Sequence, residues 1–205
     1  MALKIKKICV ISANRSEYGL LYWLLKKIDE EKKFNLKLIV TGSHLSKFHG
    51  LTVREIISDA LKIDTRIEND IKRDNSTSIL QSIATGIAKI TDYLKKTKPD
   101  IFIVCGDRYD IFPAVIAAFF LKIPIFHIHG GETTKGSIDE GIRHSITKMS
   151  WAHFVANEEY KKRVIQLGEN PKRVFVVGGL GVDSIKKTKL LNKKLLEKKI
   201  GYNFG

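Results

Sequence analysis

Residues 100–130 read "DIFIVCGDRYDIFPAVIAAFFLKIPIFHIHG". Two apolar runs, "DIFIVCG" and "IPIFHIHG", each close on a glycine, the pattern of a buried strand running into a turn. The segment between them has helical periodicity. Working outward, the same unit recurs: "KICVIS" and "LKLIVTG" lie upstream, "AHFVA" and "RVFVVGG" downstream, each beside a segment of helical spacing. Strands that alternate with helices pair in parallel. Strands that are continuously apolar, rather than apolar at every second residue, belong to a sheet covered on both faces. With right-handed crossovers, the expectation is a doubly wound, mostly parallel Rossmann-like α/β sheet. Such sheets collect their chemistry at the carboxyl ends of the strands.

A chain of 205 residues is long enough for one such domain with a sizeable core. Its longest wholly apolar stretches, such as "AVIAAFF", fall far short of the ~20 residues of a membrane span. The amino terminus carries no signal-peptide pattern, so a soluble, cytoplasmic protein without a membrane partner is expected. Cys9 and Cys105 sit inside strand-like runs and read as small core hydrophobes, neither disulfide halves nor ligands. The formal charge of +14 suits an anionic partner. The lysines lie on helix-like polar faces without interleaved aromatics, which argues against a nucleic-acid partner.

Four strand-end loops stand out. "SANRSEYGLL" occupies the place of a dinucleotide fingerprint but lacks its glycines, so no NAD or FAD cofactor is expected. Asn14 and Glu17 instead have capping-box spacing, which sets Arg15 beside a helix amino end as an anion contact; a plain surface arginine is the competing reading. "VTGSHLS" offers His44, a ligand contact or a hydrogen-bonded structural residue. "CGDRYD" places Asp107 and Arg108 where a strand leaves the core. In "HIHGGETTKGSIDEGIRH", residues 127–144, alternation puts His127 and His129 on one face, and Gly130 and Gly131 allow close approach to a ligand. Ile138, Ile142, Ile146 and Met149 form an apolar stripe, so a helix starts near Ser137. Asp139 and Arg143 fall on the shoulder of that stripe, whereas Glu140 and His144 point roughly opposite. No compact ligand motif such as HExxH occurs, and no metal is expected.

Together, "SANRSEYGLL", "VTGSHLS", "CGDRYD", the 127–150 stretch and "EEYKKRVIQLGENPKRVFVVGGLGVD" resemble the amino-terminal half of the hydrolysing UDP-N-acetylglucosamine 2-epimerases, in order from about Ile8 to Asp183. The resemblance implies the amino-terminal domain of a two-domain, glycosyltransferase-B-type fold. Residues 1–185 would form that domain and 186–205 a basic helical linker toward a second, absent domain that holds the nucleotide. It implies a UDP-sugar as substrate, elimination to a glycal followed by hydration, and a homo-oligomer at full length. Carried over by motif, Asp107, His129, Glu132 and Asp139 are the catalytic candidates. His129 stands where other branches have a glutamate, so that role is open between His129 and Glu132. Arg15, His44, Arg108, Arg143 and His144 are the substrate-binding candidates. A fragment lacking the nucleotide-binding half is expected to be inactive alone. Two rival readings are a glycosyltransferase of the same plan and a non-enzymatic basic binding module.

Overall fold

The computed structural model describes residues 5–68 and 75–205. The strands are β1 (Lys6–Ser12), β2 (Phe34–Thr41), β3 (Ile63–Ile67), β4 (Ile101–Cys105), β5 (Ile125–Ile128), β6 (Ala152–Val155) and β7 (Val174–Val176). The helices are α1 (Arg15–Glu30), α2 (Val53–Ser58), α3 (Ser76–Thr97), α4 (Phe112–Phe120), α5 (Ile138–Met149), α6 (Glu158–Gln166), α7 (Leu180–Lys187) and α8 (Lys193–Ile200). The strands form one sheet in the order β3-β2-β1-β4-β5-β6-β7, and every pairing is parallel. Phe102 lies opposite Ile125 in that register, as the repeat over 100–130 requires.

Six strands coincide with the apolar runs of the sequence. The seventh, β3, reads "IDTRI" and pairs on one side only, with β2. Its three middle residues, Asp64, Thr65 and Arg66, are polar, so it escapes a search for continuous apolar runs.

The core lies on both faces of the sheet. Cys9, Ile11, Phe102, Val104 and Ile125 pack against helices α3, α4 and α5 through Ile90, Leu94, Val115 and Ile146. Their strand neighbours Ile8, Val10, Ile103 and Ile128 turn to the other face and meet α1 through Leu21, Leu25 and Ile28. Each fully buried side chain of this kind contributes roughly 1.5 to 3 kcal/mol. Both cysteines are buried free thiols, and burial pushes their pKa upward. No helix among the described residues is long and apolar enough to cross a membrane.

The strand order decides where a site can form. From β1 the chain crosses to β2 on one side, and β4 lies on the other, so the loops after β1 and β4 diverge and leave a crevice at the carboxyl edge. Asn14, Ser137 and Asn157 cap α1, α5 and α6 with their side chains, aiming the amino ends of these helices at that same edge.

Candidate active site

Strand β4 ends at Cys105, and Gly106, with φ +82°, turns the chain so that Asp107 and Arg108 emerge above the sheet. Strand β5 ends at Ile128, and His129 takes φ +65°, a left-handed conformation that costs a side-chain-bearing residue roughly 1 to 2 kcal/mol. Three contacts hold it there. Its amide donates to the Phe154 carbonyl at 3.0 Å, its carbonyl accepts from Arg143 Nη1 at 3.1 Å, and its Nδ1 meets Glu132 Oε1 at 2.6 Å. Nε2 of the same ring is buried without a hydrogen-bond partner, and the residue lines the cleft.

Arg143 ties the loops together. From the second turn of α5 its Nη2 pairs with Asp107 and donates to Thr134 Oγ1 at 3.0 Å, while Nη1 donates to Glu132 Oε2 at 3.2 Å. A planar guanidinium with several fixed donors can serve two carboxylates and a carbonyl at once, which a lysine cannot. Above it opens a cavity of about 250 Å³ whose wall includes Asn14, Glu17, Asp107, Arg108, His129 and Arg143.

Two carboxylates in this cluster are driven apart. Burial raises the pKa of Asp107, and the nearby charges of Asp139 and Glu132 add to the rise against the pull of Arg143. Burial also acts to raise Glu132, but its hydrogen bond from His129 and the charges of His129 and Arg143 outweigh it and leave the pKa below the usual value. Paired groups pushed in opposite directions are the arrangement that divides proton-holding from charge-stabilising roles.

The remaining candidates are dispersed around this centre. Arg108 lines the cleft and pairs with Asp110, 3.3 Å away. Asp139 sits at the rim, its carboxylate accepting from Ser137 at 3.0 Å, and reaches the cleft through its charge. Arg15 is exposed beside an adjoining cavity of about 660 Å³ and pairs with Glu55 at 2.9 Å.

Four of the features singled out in sequence have the following places in the structure. His44 is fully buried, with Ser12 and Thr52 on its two ring nitrogens at 3.0 and 2.8 Å, and lines neither cavity. His144 is committed to Glu140 at 3.1 Å, and Glu140 in turn accepts from the Thr134 amide at 2.6 Å. The i, i+4 pair of α5 is therefore Glu140 with His144, since Arg143 is taken by the loops. His127 and His129 do not share a face, because the left-handed turn at His129 ends the alternation; His127 is buried, its Nε2 donating to the Gly106 carbonyl at 2.8 Å. Nor do the two glycines admit a ligand. A Cβ on Gly131 would lie 2.4 Å from the Tyr160 carbonyl, and one on Gly130 would lie 3.0 Å from His127, so both serve close packing within the chain.

Ile138, the first residue of the predicted stripe, is 78% exposed, whereas Ile146 is fully buried. Sequence reasoning also passed over Glu17 as a site residue, having assigned it to the cap. Asn14 does accept from the Glu17 amide at 3.0 Å, yet the Glu17 carboxyl lines the cleft.

Two buried histidines predict an acid limb of stability. Burial lowers the pKa of His127 to about 3 and of His44 to about 4, while in the unfolded chain both titrate near the ordinary histidine value of about 6.5. Both sites contribute fully above pH 6.5, and their contribution is lost as pH falls toward 4 and then 3. Each can cost up to about 1.4 kcal/mol per pH unit over that window. Urea denaturation between pH 7.5 and 4.5 is expected to show midpoints that fall steeply below pH 6.5, and a flat profile would contradict neutral burial of both rings.

A doubly wound domain thus gathers a histidine, an arginine and two carboxylates with pKa values shifted in opposite directions at its carboxyl edge, groups able to exchange protons and to meet negative charge. Residues 26–203 match the UDP-N-acetylglucosamine 2-epimerase family, and the chain belongs to that family. It is 43% identical to the GDP/UDP-N,N'-diacetylbacillosamine 2-epimerase (hydrolyzing) of Campylobacter jejuni, over 94% of this chain and 50% of that protein. The polysialic acid biosynthesis protein P7 of Escherichia coli is likewise 43% identical, over 96% of this chain and 50% of its own length. In fold, the chain matches the UDP-GlcNAc 2-epimerase of Neisseria meningitidis bound to UDP-GlcNAc with a TM-score of 0.79 and 23% identity, covering 95% of this chain and 53% of that one. The chain thus spans about half the length of the curated relatives it matches.

Proposed function

We propose that this chain is the acid–base half of a hydrolysing UDP-N-acetylglucosamine-type 2-epimerase, with residues 1–185 as its Rossmann-like domain and 186–205 as a basic helical linker to a nucleotide-holding second domain. The observation that carries the reading is the Arg143-centred cluster, in which Asp107 and Glu132 share one guanidinium while their pKa values are shifted in opposite directions, Asp107 up and Glu132 down beside His129.

In the elimination, the proton on carbon 2 of the sugar passes to a base while the bond from carbon 1 to the diphosphate oxygen breaks, its electron pair leaving with UDP. Water then adds to the glycal, its oxygen to carbon 1 and a proton to carbon 2 from the opposite face. Asp107 suits one of these proton transfers because a carboxyl whose pKa is raised holds a proton more readily than an ordinary aspartate and can return it. His129 suits the other, as a residue lining the cleft whose Nδ1 is held by Glu132, so Glu132 orients the ring and Asp139 tunes Asp107 through its charge. Arg108 and the exposed Arg15 meet the charge that develops on the leaving diphosphate. The half-length chain would lack most substrate affinity alone. This reading carries with it a cytoplasmic enzyme that self-associates at full length and takes no nucleic acid.

The test is isotopic. The chain joined to the carboxyl-terminal half of the Campylobacter relative, given a UDP-N-acetylhexosamine in deuterium oxide, is expected to release a free 2-epimerised sugar with deuterium at carbon 2. Release without deuterium would exclude the glycal route. Transfer to an acceptor with no free sugar would favour a glycosyltransferase.

A further inference from the structure

Outside the Arg143 cluster, the cleft contains one buried acid that the proposed mechanism leaves unused. Glu17, on the first turn of α1, is 7% exposed, and its Oε1 is buried with no hydrogen-bond partner. Its other oxygen receives the Asn14 side-chain amide at a long 3.4 Å, and the Ala13 backbone amide also acts on the carboxyl. No salt bridge to Glu17 occurs among the described residues, and Arg108, whose charge acts on it, is directed to Asp110. The side chain lines the same cavity as His129 and Asp107.

An ionised carboxylate that is desolvated, uncompensated and next to a second buried acid is costly, whereas the neutral acid is not. The groups facing Glu17 do not relieve it: Asp110 and Arg108 come from the loop after β4, and Cys105 from β4 itself. Burial raises the Glu17 pKa well above the usual value, the Asp110 charge adds to the rise, and the Ala13 amide and Arg108 only partly oppose it. A neutral carboxyl in the wall has a proton to donate and no partner within the chain to receive it. What could receive it is an uncharged oxygen brought by the ligand.

We propose that Glu17 is a ligand-positioning residue of this cleft, a neutral carboxylic acid whose hydroxyl donates to an uncharged oxygen, a hydroxyl or an amide carbonyl, of the bound sugar. The inference rests on the sugar-nucleotide reading above and adds to it a specificity element that neither acts as base nor meets the diphosphate. It also explains how a cleft meant for an anion tolerates a further acid beside Asp110: the acid carries no charge to repel the ligand.

The test compares wild type, Glu17→Gln and Glu17→Ala. Glutamine keeps the size and a donor and removes the titration; alanine removes both. Infrared spectra at pH 7 are expected to show a protonated-carboxyl stretch in the wild type that Glu17→Gln lacks. Binding of UDP-N-acetylglucosamine by the chain joined to the carboxyl-terminal half of the Campylobacter relative, in an Asp107→Asn background that slows turnover and with UDP as control, is expected to weaken about tenfold in Glu17→Ala and little in Glu17→Gln at pH 6.5, with UDP binding unchanged. As pH rises above the usual glutamate range, wild-type affinity is expected to fall where Glu17 ionises, and Glu17→Gln stays level. A merely structural role at the helix start would not produce that pH contrast, and circular dichroism of each variant checks the fold. Equal binding by Glu17→Ala, a tenfold loss in Glu17→Gln, or absence of the carboxyl band would overturn the role of Glu17. Wild-type chain that binds UDP but gains nothing from the sugar would overturn the sugar-nucleotide reading instead, and the Glu17 contact with it.

Discussion

Asp107→Asn is expected to lower turnover by about 10²- to 10⁴-fold in the chain completed by a second half, with the fold and substrate binding retained. The substitution keeps the size of the side chain and leaves an amide oxygen that can accept from Arg143, so packing around β4 survives. It removes the group that can exchange a proton with carbon 2. Because burial and the charges of Asp139 and Glu132 raise the Asp107 pKa, the wild-type rate should fall with decreasing pH from a point above the ordinary aspartate range, and that limb should vanish in Asp107→Asn. The measurement is kcat and kcat/KM from pH 5 to 9 with free sugar as product. A loss of less than tenfold would remove Asp107 from the chemistry, and a rise in KM alone would make it a binding group.

Arg143→Ala is expected to have the largest effect on stability. It strands Asp107 and Glu132, whose side chains are 15% and 29% exposed, and removes a donor from the carbonyl that holds His129 in its left-handed turn. Breaking a buried ion pair on one side costs about 3 to 5 kcal/mol, which for a domain of this size lowers the melting temperature by on the order of 10 °C. Arg143→Lys should recover only part of this, since one ammonium cannot span Asp107, Glu132 and the carbonyl together. His144→Ala, one position further along the helix, removes a partly exposed i, i+4 pair and should cost about 0.5 kcal/mol. Thermal unfolding by circular dichroism on the 205-residue chain orders the three. Equal losses for Arg143→Ala and His144→Ala would mean that the guanidinium does not organise the site.

By itself the sequence determined the parallel sheet, its doubly wound form and the loops in which the chemistry lies. Each is legible because it depends on short-range pattern: continuous apolar runs mark central strands, and Asn14 and Ser137 announce helix starts through bonds that span two or three residues. Only the tertiary structure decided which titratable groups meet. Asp107 and Arg143 pair across 36 positions, and Glu132 joins them from another loop. No local periodicity records such a contact. Burial likewise separated residues that look alike in sequence: His44 and His127 are enclosed and neutral, whereas His129 reaches the cleft because a left-handed residue breaks the strand's alternation. Glu17 read as a cap because its backbone is one; that its carboxyl is also desolvated beside Asp110 follows from how α1 and the loop after β4 converge. Protonation and pairing answer to the dielectric and the neighbours that folding assembles, so they are properties of the packed molecule, whereas element type is set close by along the chain.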